Sequence, residues 1–126
     1  GGKAENGKGL ALALETLAEG RAWKKFEAIC KAQGGMRTPP KALHVHPLEA
    51  PHAGRIVHIN NRKLSRLAKL AGAPEAKAAG IHMEVRLGDE VIRGQPLLHI
   101  HAETPGELAY ALDYAAGAGD VIEIET

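Results

Sequence analysis

The sequence predicts an α+β fold, in which two helices precede a region of mostly antiparallel strands with two inserted helices. Three observations predict it. Apolar residues recur at helical spacing up to residue 33, they alternate with polar residues over much of the remainder, and helical spacing returns twice between the alternating segments. The 126 residues suit one domain, or one domain and a fragment of another, and are too few for a large multi-domain enzyme.

Residues 8–33 are predicted to form two helices, closed by Gly20 and by Gly34-Gly35. Two helices cannot bury two apolar stripes by themselves, so they need a partner surface in the rest of the chain or in a missing neighbour. Residues 36–40 then read as a linker. The first stripe consists of Leu10, Ala13, Leu14, Leu17 and Ala18, and the second of Ala22, Phe26, Ile29 and Cys30 beside Trp23.

Beyond the linker, alternation predicts half-buried antiparallel strands. Leu43 and Val45 are expected to face the core, while His44 and His46 face solvent. The same reasoning applies to the segment from Ile81 to Leu87 and to Leu98, Ile100 and Ala102, which alternate with His99 and His101. Further strands are predicted at residues 55–59 and 121–125.

Two helices interrupt these strands. Asn60 or Asn61 can cap the first, and Gly72 lies beyond its end. The second opens at Thr104-Pro105-Gly106-Glu107, where Thr104 and Glu107 predict a capping box and Pro105 occupies the first helical position. The inward stripes are Leu64, Leu67, Ala68 and Ala71 in the first, and Leu108, Ala111, Leu112 and Ala115 in the second.

Charge and hydropathy exclude several kinds of partner. The 16 Lys and Arg residues nearly balance the 15 Asp and Glu residues and form no long run of one sign, so we expect no nucleic-acid partner. No apolar stretch approaches the roughly 20 residues of a membrane span, and the first residues lack the apolar core of a signal peptide. We therefore expect no membrane partner. The single cysteine fits the reducing cytoplasm. Because the chain begins without Met, we also expect it to be a piece of a longer protein.

The glycine-rich start resembles the phosphate-binding loop G-x-x-x-x-G-K-[ST]. Residues 2–9 supply the glycines and Lys8, but Gly9 stands where the motif needs a hydroxyl group for Mg²⁺, and no strand precedes the loop. A flexible lead into a helix is therefore favoured over nucleotide binding.

The seven histidines suggest a metal site, since His44 with His46, or His99 with His101, could chelate zinc from one strand face. Each lies in the polar phase of its strand, however, and no cysteine pair or acidic cluster completes a set of four ligands. We therefore expect solvated strand faces and no metal site.

Catalytic patterns are equally sparse. No G-x-S-x-G motif occurs, Cys30 lies on an apolar helical stripe where a buried, inert thiol is expected, and Glu123 and Glu125 form an ordinary surface pair. The sequence thus assigns no catalytic, cofactor-binding or metal-binding residue and no cofactor.

The segment from Gly88 to Leu98 contains two turn signals, Gly88-Asp89 and Gly94-Gln95, around a short apolar stretch. Together with the turn that enters the strand at Gly54, it resembles the barrel-sandwich hybrid fold of biotinyl and lipoyl carrier domains. Such carriers present a modified lysine on a hairpin, and the strand from Leu98 contains none. A swinging-arm carrier is therefore disfavoured.

In combination, these motifs resemble the C-terminal part of the pyrimidine-nucleoside phosphorylases, the thymidine phosphorylase family. The resemblance covers nearly the whole chain and includes features of the AMP phosphorylase-like branch. The family motifs are A-Q-G-G at residues 32–35, P-x-x-G at 51–54 and G-D-x-V-x-x-G-x-P-L at 88–97, and the branch features are at 60–64, 70–74 and 77–81.

The resemblance implies phosphorolysis by a full-length parent enzyme, in which phosphate attacks the anomeric carbon of a nucleoside, with no other cofactor. Residues 1–35 would be the last helices of a central α/β domain, and residues 41–126 a barrel-sandwich or hammerhead-like C-terminal domain. The family's phosphate loop and base-contacting residues lie upstream, so none is carried over and the fragment is expected to be inactive. A cytoplasmic homo-oligomer is implied; an AMP phosphorylase and a stand-alone binding or assembly module remain as alternatives.

Overall fold

A computed structural model describes residues 2–126, which form two compact units, one ending at Thr38 and the other running from Pro39 to Thr126. The helices are α1 (Gly9–Ala18), α2 (Arg21–Ala32), α3 (Asn61–Leu70) and α4 (Pro105–Gly117). The strands are β1 (His44–Glu49), β2 (Gly54–Ile59), β3 (Gly80–Met83), β4 (Glu90–Val91), β5 (Pro96–Ala102) and β6 (Ile122–Glu125).

The first unit contains α1 and α2, and the glycines end these helices as the sequence predicts. The N–H of Gly35 donates to the carbonyl of Cys30 at 2.8 Å, and the N–H of Gly34 donates to the carbonyl of Lys31 at 3.3 Å. Both glycines have positive φ, which completes a Schellman motif after α2. Helix α2 therefore ends at this motif, since a residue with a side chain would be strained at the positive φ that the motif requires.

The apolar stripes of α1 and α2 stay largely exposed. Leu10 is 73% exposed and Trp23 is 53% exposed, and neither helix contains a buried residue. The expectation of a buried Cys30 is therefore wrong: the residue is half-buried, and α2 contains no buried residue. The assignment of residues 1–35 to a central domain and of residues 36–40 to a linker stays a prediction.

The second unit is built from two antiparallel three-stranded sheets and two helices. The first sheet has the strand order β1-β5-β3 and the second has the order β4-β2-β6. Helix α3 packs on α4 and β3, and α4 packs on β5 and β1. The predicted α+β fold with mostly antiparallel strands and two inserted helices is confirmed, although the sheets within residues 39–126 do not close into a barrel.

The core of this unit lies on the inner face of the first sheet. Leu98, Ile100 and Ala102 of the central strand β5 are completely buried. Leu67 of α3 and Ala111 of α4 are also completely buried and belong to the same hydrophobic core. The inward stripes predicted for the two helices are confirmed.

Both inserted helices begin at the predicted caps. The Asn60 side-chain oxygen accepts a hydrogen bond from the Lys63 N–H at 3.1 Å, so Asn60 rather than Asn61 is the cap of α3. Thr104 and Glu107 form the full capping box, each side chain accepting from the other residue's N–H at 3.2 Å. Such caps satisfy amide groups that would otherwise have no partner.

The predicted inward phase of β1 is wrong. Residues directly opposite in antiparallel strands share a face, and His44 lies opposite Ala102 while Val45 lies opposite His101. Val45 therefore points away from the core and is 48% exposed. Leu48, opposite the buried Leu98, packs against the core instead and sets the phase of the whole strand.

The segment after β3 also departs from its predicted alternation. Met83 ends β3, Val85 is buried as expected, and Leu87 is exposed because the chain has already entered the turn at Gly88-Asp89. The Asp89 carboxylate accepts from the Arg86 N–H at 2.7 Å and stabilises that turn. The two turn signals thus bracket β4, as the sequence predicts.

None of the helices among residues 2–126 is long and apolar enough to cross a membrane.

Gly54, the first residue of β2, provides a test of the close packing in the second sheet. A Cβ here would collide with the backbone carbonyl of Glu125 and would lie 2.8 Å from Ile124 Cγ2. Since backbone must move to admit it, we expect Gly54→Ala to lower the free energy of unfolding by about 1–3 kcal/mol. A Cβ at Gly106 meets nothing within 4 Å, so Gly106→Ala should be neutral or slightly stabilising. Urea denaturation measures both, and equal effects would contradict the packing described.

Leu98 tests the core on the first sheet. Because its side chain is completely buried between the sheet and the helices, we expect Leu98→Ala to cost about 2–5 kcal/mol of unfolding free energy. The matched variant Leu87→Ala removes the same atoms from a side chain that is 66% exposed and should change stability by less than about 0.5 kcal/mol. Thermal and urea unfolding of the two variants provide the comparison, and a similar loss in both would refute this placement of the core.

Candidate functional site

The outer face of the first sheet brings together two imidazoles and one carboxylate. His99 lies in the central strand β5, directly opposite His82 in β3. Glu84 follows β3, and its Oε1 lies 2.9 Å from His99 Nδ1 and 3.7 Å from His82 Nε2. Since a carboxylate only accepts hydrogen bonds, Nδ1 of His99 carries the proton and donates it. We call these three residues the His82–Glu84–His99 cluster.

The cluster differs from the histidine pairs considered in the sequence. His44 and His46 lie opposite Ala102 and Ile100, on the other face from His99 and His101, so the two pairs do not combine. Within residues 2–126, no set of three or more His, Cys, Asp or Glu side chains has the arrangement of metal ligands. The cluster therefore offers an imidazole that a carboxylate orients on the outer face of the sheet.

The glycine-rich start does not form the structural context of a phosphate-binding loop. Among the described residues no strand precedes α1, and such a loop requires a strand before it. The Lys8 ammonium donates to the Glu5 carboxylate, with which it forms an ion pair. The cation that would contact phosphate is thus already neutralised.

A basic groove lies along α3. Its cations are Arg62, Lys63, Arg66 and Lys69, all on α3, and Tyr114 of α4 forms its far wall. The groove has a volume of about 520 Å³. The sequence analysis missed it because the overall net charge of +1 conceals that α3 holds four cations and no acidic residue.

A second depression, of about 280 Å³, lies between the end of β1, the end of α4 and β6. Its lining combines apolar side chains with the polar residues Glu49, His52 and Asp120, which are exposed. Across residues 2–126, in fact, no polar or charged residue is buried.

Comparison with known proteins assigns the family. Residues 55–121, from the start of β2 to the residue before β6, match the family model described as the pyrimidine nucleoside phosphorylase C-terminal domain. The chain belongs to this family. The matched segment contains the G-D-x-V-x-x-G-x-P-L motif at residues 88–97 and the branch features at 60–64, 70–74 and 77–81, whereas the A-Q-G-G and P-x-x-G motifs lie before it.

Curated relatives extend the similarity to nearly the whole chain. A protein of Chelativorans sp. is 80% identical over 99% of this chain, and proteins of Tolumonas auensis and Parvibaculum lavamentivorans are each 63% identical over 99% of it. All three carry the name "Putative thymidine phosphorylase". The chain spans about a quarter of the length of these relatives (25% in each case).

Zinc addition tests the absence of a metal site on the sheet face. A metal that binds only the folded state stabilises it, by about 2.7 kcal/mol at a hundredfold excess over its dissociation constant. Because the His82–Glu84–His99 cluster lacks the arrangement of metal ligands, we expect zinc to leave the thermal unfolding midpoint unchanged. A rise that EDTA reverses and that His99→Ala abolishes, while His52→Ala does not, would show that zinc binds at the cluster.

Proposed function

We propose that this chain is the C-terminal, non-catalytic part of a thymidine phosphorylase. The observation that supports this most directly is the match of nearly the whole chain, at up to 80% identity, to one quarter of proteins that bear this name. The lack of buried charged or polar residues within residues 2–126 is consistent with an active site formed by other parts of the parent.

The proposed reaction of the parent is phosphorolysis. Inorganic phosphate attacks the anomeric carbon of thymidine, the glycosidic bond breaks, and thymine and 2-deoxyribose 1-phosphate are released. Phosphate is the co-substrate, and no other cofactor is required. A site for this reaction must bind phosphate with oriented N–H groups, hydroxyls or cations and must stabilise charge on the departing base. We assign no residue of this chain to those roles.

The two units have different proposed places in the parent. The second unit is the C-terminal domain, with an architectural role and a role in assembly. The first unit is proposed to be the end of the central α/β domain, because its exposed apolar stripes require a cover. The exposed large side chains of these stripes are Leu10, Leu14, Leu17, Trp23, Phe26 and Ile29.

We further propose that the parent is a homo-oligomer, with a homodimer as its simplest form, and that it acts in the cytoplasm on nucleosides and phosphate. The single, unpaired Cys30 suits a reducing compartment. Size-exclusion chromatography with light scattering tests the assembly, and a monomeric full-length protein would overturn that part of the proposal.

The AMP phosphorylase reading is kept as a second candidate because of the segment from Asn60 to Ile81. This segment forms α3 and the turns that lead into β3, and in sequence it resembles that branch of the family. By contrast, the carrier-domain alternative has no support in the hairpin around β4, because no lysine follows Lys77 anywhere in the chain.

Activity measurements on the 126-residue chain and on the full-length parent test the proposed function. With thymidine and phosphate, we expect the parent to release thymine and the 126-residue chain to release none. Replacement of phosphate by sulfate should abolish release by the parent, which controls for simple hydrolysis. Base release by the 126-residue chain itself would overturn its non-catalytic role.

Parallel assays with thymidine and AMP distinguish the two candidate substrates. A site built around a 5′-phosphate leaves its polar groups unpaired when that phosphate is missing, and discrimination can reach about 10⁴-fold. We expect the parent to have the higher kcat/KM with thymidine. A preference for AMP by more than about tenfold would replace the thymidine assignment with the AMP phosphorylase one.

A further inference from the structure

We propose that the basic groove of α3 binds a phosphorylated small molecule that carries at least two negative charges. The proposal goes beyond the proposed function, which assigns no residue of this chain to the phosphorolytic site. The proposal rests on the position of four cations, on what holds them, and on the dimensions of the groove.

The cations of the groove lack acidic partners. Among residues 2–126, no carboxylate oxygen lies within 4.0 Å of the charged nitrogens of Arg62, Lys63, Arg66 or Lys69. Helix α2 also contains four cations, but its Arg21 is paired with Glu15 and Glu19. The positive charge of the groove is therefore unbalanced, whereas that of α2 is balanced in part by neighbouring carboxylates.

Two of the cations are held in place by neutral groups. The Lys63 ammonium donates to the backbone carbonyl of Asp120 at 3.0 Å. The Arg66 guanidinium lies over the ring of Tyr114, 5.7 Å from its centroid, a contact in which the ring attracts the cation. These partners orient the two side chains without cancelling their charge, so less side-chain freedom is lost when an anion binds.

The stability of α3 alone does not explain this arrangement. Arg62 and Lys63 lie in the first turn, where the helix dipole favours negative charge and where α3 has no acidic residue. Arg62 and Arg66 are four positions apart, and Arg66 and Lys69 are three apart, spacings at which like charges repel along a helix. A bound anion would relieve both unfavourable effects.

The chemistry of the groove fits phosphate. A guanidinium presents two parallel N–H groups to phosphate oxygens, and an ammonium adds a mobile point charge. The Ser65 hydroxyl and the Asn61 amide also line the groove and can donate further hydrogen bonds. Charged donors of this kind bind a dianion more strongly than a singly charged one.

The size of the groove favours a small molecule over a nucleic acid. From Arg62 to Lys69 the helix rises only about 10 Å, so the four cations of α3 can contact only a short ligand. A nucleic-acid site typically engages about 6–10 phosphates along a longer track. We therefore expect one or two phosphate groups at this site.

Titration of the ¹⁵N-labelled 126-residue chain, followed by NMR at constant ionic strength, tests the proposal. The probes are inorganic phosphate, pyrophosphate, ribose 5-phosphate and AMP, with adenosine, sulfate and a single-stranded oligonucleotide as references. We expect saturable shifts of the α3 amides and of Tyr114 with the phosphate-bearing probes and with sulfate, which is also a dianion, and at least tenfold weaker effects with uncharged adenosine. The relative affinities of phosphate, ribose 5-phosphate and AMP show whether the site recognises the phosphate alone or also the group that bears it.

The double variant Arg62→Gln/Arg66→Gln should weaken binding at least tenfold. Its matched control, Lys24→Gln/Lys25→Gln on α2, removes the same charge and should leave the affinity within twofold. Far-UV circular dichroism verifies that both fold, and the exposed single variant Lys69→Gln substitutes if the double variant does not. Equal losses in both double variants, no shifts along α3, or tighter binding of a single-stranded oligonucleotide than of every small probe would each overturn the proposal. The readout is binding to a chain predicted to be inactive, so its failure is distinct from that of the proposed function.

Discussion

The structure of the second unit depends on the position of β5 between β1 and β3. This strand has a hydrogen-bonded neighbour on each side, so its inner face is fixed and carries Leu98, Ile100 and Ala102 without any exposure. Helices α3 and α4 have only one apolar stripe each, and both stripes pack against this face. The order of the strands therefore decides where the helices lie, and the helices in turn decide where the basic groove forms.

The same constraint explains which parts of the fold could be predicted from the sequence. Helix ends follow from local hydrogen bonds, and the capping residues Asn60, Thr104 and Glu107 were identified because their partners lie within three positions. Strand β5 could be predicted because Leu98, Ile100 and Ala102 alternate with His99 and His101. Each of these signals is contained in a short segment, and tertiary contacts only reinforce it.

Strand β1 shows why the remainder could not be predicted. Its residues place Val45 in one phase and Leu48 in the other, and a strand with period two can bury only one of them. The register with β5 settles the choice in favour of Leu48, opposite the buried Leu98, and this information is not contained in β1. The contact between His99 and Glu84 was missed for the same reason, since it joins residues of different segments.

In this domain the positions of the charged residues are informative, whereas the net charge is not. No charged residue is buried within residues 2–126, and the total of +1 is the sum of opposed local excesses. Helix α3 collects its cations because its buried stripe occupies one side and leaves the other side free to carry them. A net charge close to zero therefore does not indicate what the surface of this domain can bind.

The pairing of β2 has a consequence for the order of folding. Strand β2 hydrogen-bonds to β6, so that Ile59 lies opposite Ile122, and between them in the sequence come both inserted helices and the whole of β3, β4 and β5. Such distant pairings give a high contact order and slow folding. During synthesis, the second sheet cannot be completed until Glu125 has left the ribosome, so β2 must remain without one of its two neighbours until translation has passed the last strand.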